Sequence, residues 1–100
     1  MSSFKVLVFI SGEGTNLQYL INLVNAGVVN AKIVSVISDN ASANGLNRAQ
    51  ENNIPTQVVE WNKESETREE YNIRLADVVS GYKYDVIYCL GWLFILGKEF

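Results

Sequence analysis

The chain has 100 residues, of which 48% are apolar, and this length suits one small domain. Its net charge of −3, with eight scattered lysines and arginines, provides no basic face for a nucleic acid. The amino end lacks the pattern of an export signal, and the longest uncharged apolar run, 86–96, is about half as long as a bilayer span. We therefore expect a cytoplasmic protein with neither a membrane segment nor a nucleic-acid partner.

The chain has no histidine and only one cysteine, Cys89. One cysteine excludes an internal disulfide and a multi-cysteine metal site, so we predict no metal and expect Cys89 to be a small core residue. Without histidine, no side chain has an unperturbed pKa near neutrality. An enzyme built on this chain must use another proton carrier or take one from elsewhere.

The first half of the sequence predicts two strands and two helices. The apolar run Lys5–Ile10 is typical of a strand buried on both faces of a parallel sheet. A helix that stops at Gly27 follows it. Its apolar stripe consists of Leu17, Leu20, Ile21 and Val24. A β-branched strand at Ala31–Ser38 and a second helix over 43–52 come next, and Pro55 prevents further helix.

The second half predicts a short strand over 56–61, a third helix and a fourth strand. Thr67 and Glu70 have the spacing of a capping box, which marks the start of the helix. The apolar stripe of this helix consists of Tyr71, Leu75, Val78 and Val79. Gly81 ends it, and the fourth strand covers Asp85–Gly91.

This alternation of strands and helices predicts an α/β domain, 1–100, with a Rossmann-like parallel sheet and helices on both faces. The fourth strand is as apolar as the first, so we expect it to be central. The segment "GWLFILGKEF" follows, and nothing in the sequence remains to cover it. We therefore expect a truncated domain whose uncovered strand edge permits self-association.

The loop "ISGEGTNLQ", residues 10–18, joins the first strand to the first helix. Gly12 and Gly14 permit a sharp turn and close approach to a ligand, while the helix start favours an anion such as phosphate. Thr15 and Asn16 supply a hydroxyl and an amide that either bind the anion or cap the helix. The alternative interpretation is a tight turn followed by a capped helix.

Two other nucleotide motifs fit this loop less well. A dinucleotide fingerprint requires a small residue where Leu17 stands, although Asp39 after the second strand suits a ribose. A turn or helix cap is the favoured interpretation of Asp39. The P-loop is excluded because Gly-Lys-Ser/Thr does not occur. A mononucleotide-like phosphate fits best; an NAD(P)-type oxidoreductase fragment and a non-catalytic phosphoribosyl-binding module remain as alternatives.

Four ordered segments, 8–18, 37–56, 65–79 and 85–96, resemble the phosphoribosylglycinamide formyltransferase family, and the resemblance extends over about residues 5–100. It implies the amino-terminal half of a folate-dependent enzyme of purine synthesis. That enzyme transfers a formyl group from the co-substrate 10-formyltetrahydrofolate to glycinamide ribonucleotide.

The resemblance also implies which residues bind the two small molecules. Gly14, Thr15 and Asn16 match the positions that hold the phosphoribosyl group, and the loop argument adds Gly12 to the predicted substrate site. Arg68 matches an arginine near the folate, although a solvated arginine paired with a nearby glutamate is equally compatible. The segment whose backbone holds the pterin ring is matched by Leu93, Phe94, Ile95 and Leu96, which also read as an apolar core run.

The sequence departs from the family pattern at two points. Glu13 stands where many relatives carry a neutral side chain, and we predict that it faces solvent because a carboxylate would repel a bound phosphate. The family's catalytic asparagine and histidine lie in an Asn-x-His-Pro motif, and its catalytic aspartate lies further on. None of these positions exists among the 100 residues, so we predict no catalytic residue here and expect the chain alone to be inactive.

Overall fold

Strands and helices alternate along the chain in the computed structural model, which describes residues 4–89. The strands are β1 (Phe4–Ile10), β2 (Ala31–Ser38), β3 (Thr56–Val58) and β4 (Val86–Cys89). The helices are α1 (Thr15–Asn25), α2 (Asn44–Glu51) and α3 (Arg68–Val79). This order is the predicted one, and the bounds of β2 are those expected from the sequence.

The four strands form a parallel sheet in the order β3-β2-β1-β4. β1 pairs with β2 from Phe4↔Ala31 to Ile10↔Ser38, and on its other side with β4 from Val6↔Val86 to Phe9↔Cys89. The chain therefore adds β2 and β3 on one side of β1 and then crosses to the other side. Strand order reverses between β1 and β4, the place where doubly wound sheets form their ligand crevice.

Alternate side chains of β1 face two different helical layers. Val6, Val8 and Ile10 lie in one buried cluster with residues of α1 and α2, and Leu7 and Phe9 lie in another with residues of α3. The first cluster is completed by Leu17, Ile21, Leu46 and Ala49, and the second by Tyr71, Leu75 and Val79. Burial on both faces explains the uninterrupted apolar run of β1, and the prediction of helices on both faces is confirmed.

The central position expected for β4 stays a prediction, because residues 4–89 show its pairing on one side only. β4 pairs only with β1 in that part of the chain, and Tyr88 retains 42% of its surface exposed. Cys89 is exposed, so the expectation of a core cysteine was wrong. An apolar strand is equally compatible with an edge or a centre, because its place depends on pairing that the strand itself does not encode.

α3 begins with the predicted capping box. The Thr67 hydroxyl accepts the backbone N–H of Glu70 at 3.1 Å, and the Glu70 carboxylate accepts the N–H of Thr67 at 2.8 Å. Two of the helix's free N–H groups are thereby satisfied.

Among the described residues, no helix is both long and apolar enough to span a membrane.

The amino ends of α1 and α2 meet through two glycines. Gly14 has a φ of +75°, and a Cβ added to it would lie 2.5 Å from the Cα of Gly45. A Cβ on Gly45 would in turn lie 2.5 Å from Cδ1 of Ile10. The N–H of Gly45 donates to the carbonyl of Gly12 at 3.0 Å. The first turn of α2 therefore lies directly against the loop that follows β1.

This contact predicts that the fold tolerates a side chain at Gly12 but not at Gly14. Gly14→Ala introduces both a strained φ and a backbone overlap, and should lower the free energy of unfolding by about 2–4 kcal/mol. Gly12→Ala is the matched control, because a Cβ there meets no atom within 4 Å; it should change stability by less than about 0.5 kcal/mol. Urea unfolding measures both, and equal losses would contradict the glycine contact.

Candidate functional site

The loop Ser11–Gly14 leaves the carboxyl end of β1 beside the point where strand order reverses. Ser11 is buried, whereas Gly12 and Glu13 are exposed and Gly14 begins the turn into α1. Because the carboxyl ends of parallel strands share one edge of the sheet, the loop lies where ligands of such folds bind. Among residues 4–89, no atom lies within 4 Å of the position that a Cβ on Gly12 would occupy.

The first turn of α1 offers main-chain donors at this edge. Gly14 is the N-cap, and its carbonyl accepts the N–H of Gln18 at 2.8 Å as the first helical hydrogen bond. No side chain caps the helix, because glycine has none. The N–H groups at the start of a helix have no helical acceptor, and the helix dipole makes this end positive. The arrangement suits a small anion such as phosphate.

Thr15 and Asn16 are the first two residues of α1, and both are exposed. Neither occupies the N-cap position, so capping, one of the two roles considered for them, is excluded by Gly14. Their hydroxyl and amide remain the predicted ligand contacts. The loop thus combines an anion-favouring helix start with two exposed side chains that donate hydrogen bonds.

Glu13 faces solvent, as predicted, with 72% of its side chain exposed. Its carboxylate accepts a hydrogen bond from Nδ2 of Asn44 at 3.1 Å and lies 3.9 Å from the guanidinium of Arg48. Nε of Arg48 also donates to the backbone carbonyl of Glu13 at 2.7 Å. α2 therefore contacts both the side chain and the main chain of Glu13.

The sequence interpretation missed three residues of α2 that contact the loop: Asn44, Gly45 and Arg48. Helical periodicity identifies residues that face the core, and it does not identify polar residues that contact a distant loop. The one available signal was Gly45 itself, because glycine is unfavourable inside a helix and therefore suggests a close approach.

Asp39 follows β2 at the same edge and is turned inward. Its carboxyl is hydrogen bonded with Ser11, and its Oδ1 is buried without a partner among the described residues. Burial raises the pKa of Asp39, and the Ser11 hydrogen bond opposes this rise. Asp39 lies in the turn after β2, as one of the two expected roles had it, but it does not cap α2, whose N-cap is Ala43. In this turn the side chains of Ser38 and Asn40 accept hydrogen bonds from main-chain N–H groups.

Arg68 is the first residue of α3 and is exposed. Since α3 follows β3, its amino end lies toward the carboxyl edge of the sheet, on the face opposite α1. The folate contact assigned to it stays a prediction. The other predicted folate residues, Leu93, Phe94, Ile95 and Leu96, lie outside the described residues.

A cavity of about 210 Å³ lies at the opposite edge of the sheet from the glycine loop. It is lined by the end of α1 and the start of β2, including Asn25 and Lys32, and by Ile54 before β3. Ligands of doubly wound sheets bind at carboxyl rather than amino ends of strands, so this cavity is not the candidate site.

Within residues 4–89, no three His, Cys, Asp or Glu side chains gather to hold a metal ion.

The raised pKa of Asp39 predicts that Asp39→Asn changes stability in a pH-dependent way. A carboxyl whose pKa is higher in the folded state adds most to the free energy of unfolding when the pH is below its unfolded-state pKa. This stabilisation is lost as the pH rises through its folded-state pKa. Asn stays neutral, so the stability of the variant relative to the unsubstituted chain should rise as the pH is raised from about 4 to about 7.

Thermal unfolding at both pH values measures the effect of Asp39→Asn. Asp77→Asn on the exposed surface of α3 is the matched control. A loss of stability of equal size at both pH values would show that the carboxylate charge is not what burial penalises.

Comparison with known proteins places these features in a family. The family model described as "Formyl transferase" matches residues 4–100. The phosphoribosylglycinamide formyltransferase of Saccharomyces cerevisiae is 42% identical over 96% of this chain and 51% of its own length. That of Dictyostelium discoideum is 36% identical over 98% of this chain and 51% of its own.

A solved phosphoribosylglycinamide formyltransferase from Coxiella burnetii superposes with a TM-score of 0.89 at 35% identity, over 97% of this chain and 45% of that one. The chain thus spans about half the length of the curated relatives it matches. The family match covers both predicted site segments, the glycine loop and the region after β4. The chain belongs to the formyl transferase family.

Proposed function

We propose that the chain is the amino-terminal, substrate-binding part of a phosphoribosylglycinamide formyltransferase. Such an enzyme transfers a formyl group from 10-formyltetrahydrofolate to glycinamide ribonucleotide in purine synthesis. The single observation that carries the proposal is the start of α1, which has no side-chain cap and lies where the strand order of the sheet reverses. Such a helix start suits a phosphate. The names of the relatives support the choice of ribonucleotide.

In this proposal the phosphoribosyl group binds at Gly12, Gly14, Thr15 and Asn16. The open space at Gly12 lets a phosphate approach the main chain, and the first-turn N–H groups of α1 donate to its oxygens. The hydroxyl of Thr15 and the amide of Asn16 add side-chain donors. Main-chain donors suit a chain whose own net charge is −3, because they attract an anion without needing a lysine or arginine cluster.

Formyl transfer requires more than this site supplies. The amine of the ribonucleotide attacks the formyl carbon, and the tetrahedral intermediate must be stabilised while protons move. The chain contains no histidine for that work. We infer that it supplies substrate binding, with Arg68 and the backbone of 93–96 toward the folate, and that these 100 residues alone do not catalyse transfer. We also infer a cytoplasmic location.

The dinucleotide alternative is not favoured. The dinucleotide fingerprint requires a small third residue, and that position is occupied by Leu17, which is fully buried. Asp39 is turned inward toward Ser11 instead of outward toward a ribose. Family membership also argues against an oxidoreductase. A non-catalytic phosphoribosyl-binding module would use the same loop, so ligand binding by these 100 residues is compatible with both functions.

Calorimetric titration with glycinamide ribonucleotide tests the proposed site. Asn16→Ala should weaken binding roughly tenfold, because it removes a hydrogen bond to a charged group. Asn22→Ala is the matched control, since Asn22 is an exposed amide further along the same helix. Equal losses in both variants, or saturable binding of NADH by the unsubstituted chain, would contradict the proposal.

Glu13→Asn should leave the affinity for glycinamide ribonucleotide within about twofold, because exposed charges are strongly screened by solvent. The reason is the observed orientation, in which the carboxylate is 72% exposed and bonded to Asn44. The same titration measures the effect. A large gain in affinity would mean that the carboxylate faces the bound phosphate after all.

A further inference from the structure

The main chain of the glycine loop is held from one side by α2. The carbonyl of Gly12 accepts the N–H of Gly45 at 3.0 Å, and the carbonyl of Glu13 accepts Nε of Arg48 at 2.7 Å. Two successive peptide units of the loop are thus bonded to the same helix. The second bond is charge-assisted, which makes it the stronger type.

These two bonds also determine where the loop's N–H groups point. In a trans peptide unit the carbonyl and the following N–H point in opposite directions. Because the carbonyls of Gly12 and Glu13 point toward α2, the N–H groups of Glu13 and Gly14 point away from it. Two adjacent donors facing the same general side form the kind of main-chain concavity that binds anions.

We propose that Arg48 is a positioning residue that presets the N–H groups of the loop for the phosphate. This inference rests on the proposed function and deepens it. Arg48 acts through the Glu13 carbonyl and not by touching the ligand. The stem of its side chain supports the same place, since Cδ lies 3.3 Å from the position that a Cβ on Gly14 would occupy.

The bond to the carbonyl, and not the ion pair, carries this role. The ion pair of Arg48 with Glu13 is long, at 3.9 Å, and its carboxylate is 72% exposed, so it contributes little. The Arg48 side chain as a whole is only 27% exposed, so most of it is packed against the protein.

Arg74 provides a matched control on the other face of the sheet. It also pairs with a glutamate, Glu66, at 2.9 Å, and donates to a main-chain carbonyl, that of Glu60. The two arginines make the same kinds of bond, but only Arg48 reaches the glycine loop. A difference between their variants therefore isolates the effect on the loop.

The test compares Arg48→Met with Arg74→Met in the full chain, using amide hydrogen exchange without ligand and calorimetry with ribose 5-phosphate. Methionine keeps much of the apolar stem and removes the donors. The Gly45 N–H donates to the Gly12 carbonyl, so the exchange rate of this N–H, here called loop exchange, reports how firmly the loop is held. Arg48→Met should speed this loop exchange roughly tenfold and weaken binding by about the same factor. Arg74→Met should change neither by more than about twofold.

Arg48→Lys separates positioning from simple attraction. Lysine keeps the charge but lacks the planar Nε donor, so we expect it to resemble Arg48→Met. Full recovery of affinity by lysine would show that charge alone matters and would overturn the inference. Unchanged loop exchange in Arg48→Met would overturn it as well.

The two readouts also separate this inference from the proposed function. If the unsubstituted chain binds no ribose 5-phosphate or glycinamide ribonucleotide, the proposed function fails. Loop exchange needs no ligand and would still decide whether Arg48 orders the loop. If binding occurs and is equal in Arg48→Met, only the positioning role is refuted.

Discussion

The backbone of Gly14 lies against the backbone of Gly45, and the rest of the candidate site depends on this contact. It brings the first turns of α1 and α2 together at the carboxyl edge of the sheet, where Gly45 also donates to the Gly12 carbonyl. Any larger side chain at either position would separate the two helices. The loop between β1 and α1 is therefore held by a neighbouring helix and not by its own sequence alone, which explains how exposed residues such as Gly12 and Glu13 can have a defined backbone.

This arrangement suits an anion even in an acidic chain. The loop relies on main-chain N–H groups and the positive end of α1, and its nearest acidic side chain, Glu13, is bonded to α2. β1 supports the site from below, because its side chains are buried against α1 and α2 on one face and against α3 on the other. The folding core and the candidate site thus share one strand.

Features of the fold that depend on nearby residues were predictable from the sequence, and features that depend on distant pairing were not. The bounds of β2 and the capping box of α3 follow from local patterns, and both are confirmed. The exposure of Cys89 depends on what packs against β4, so an apolar pattern could not predict it. In the site, the loop and the orientation of Glu13 were predicted. Arg48 was missed because it is 35 residues from its partner, Glu13.

The most direct test of the account is an NMR titration of the isotopically labelled chain with glycinamide ribonucleotide, which maps the responding amides. The account predicts that the largest shifts occur at residues 12–17, the glycine loop and first turn of α1, and that residues near the cavity at the opposite edge, such as Lys32 and Ile54, respond little. Shifts concentrated around Lys32 and Ile54, with the glycine loop unchanged, would contradict the claim that this loop is the substrate site.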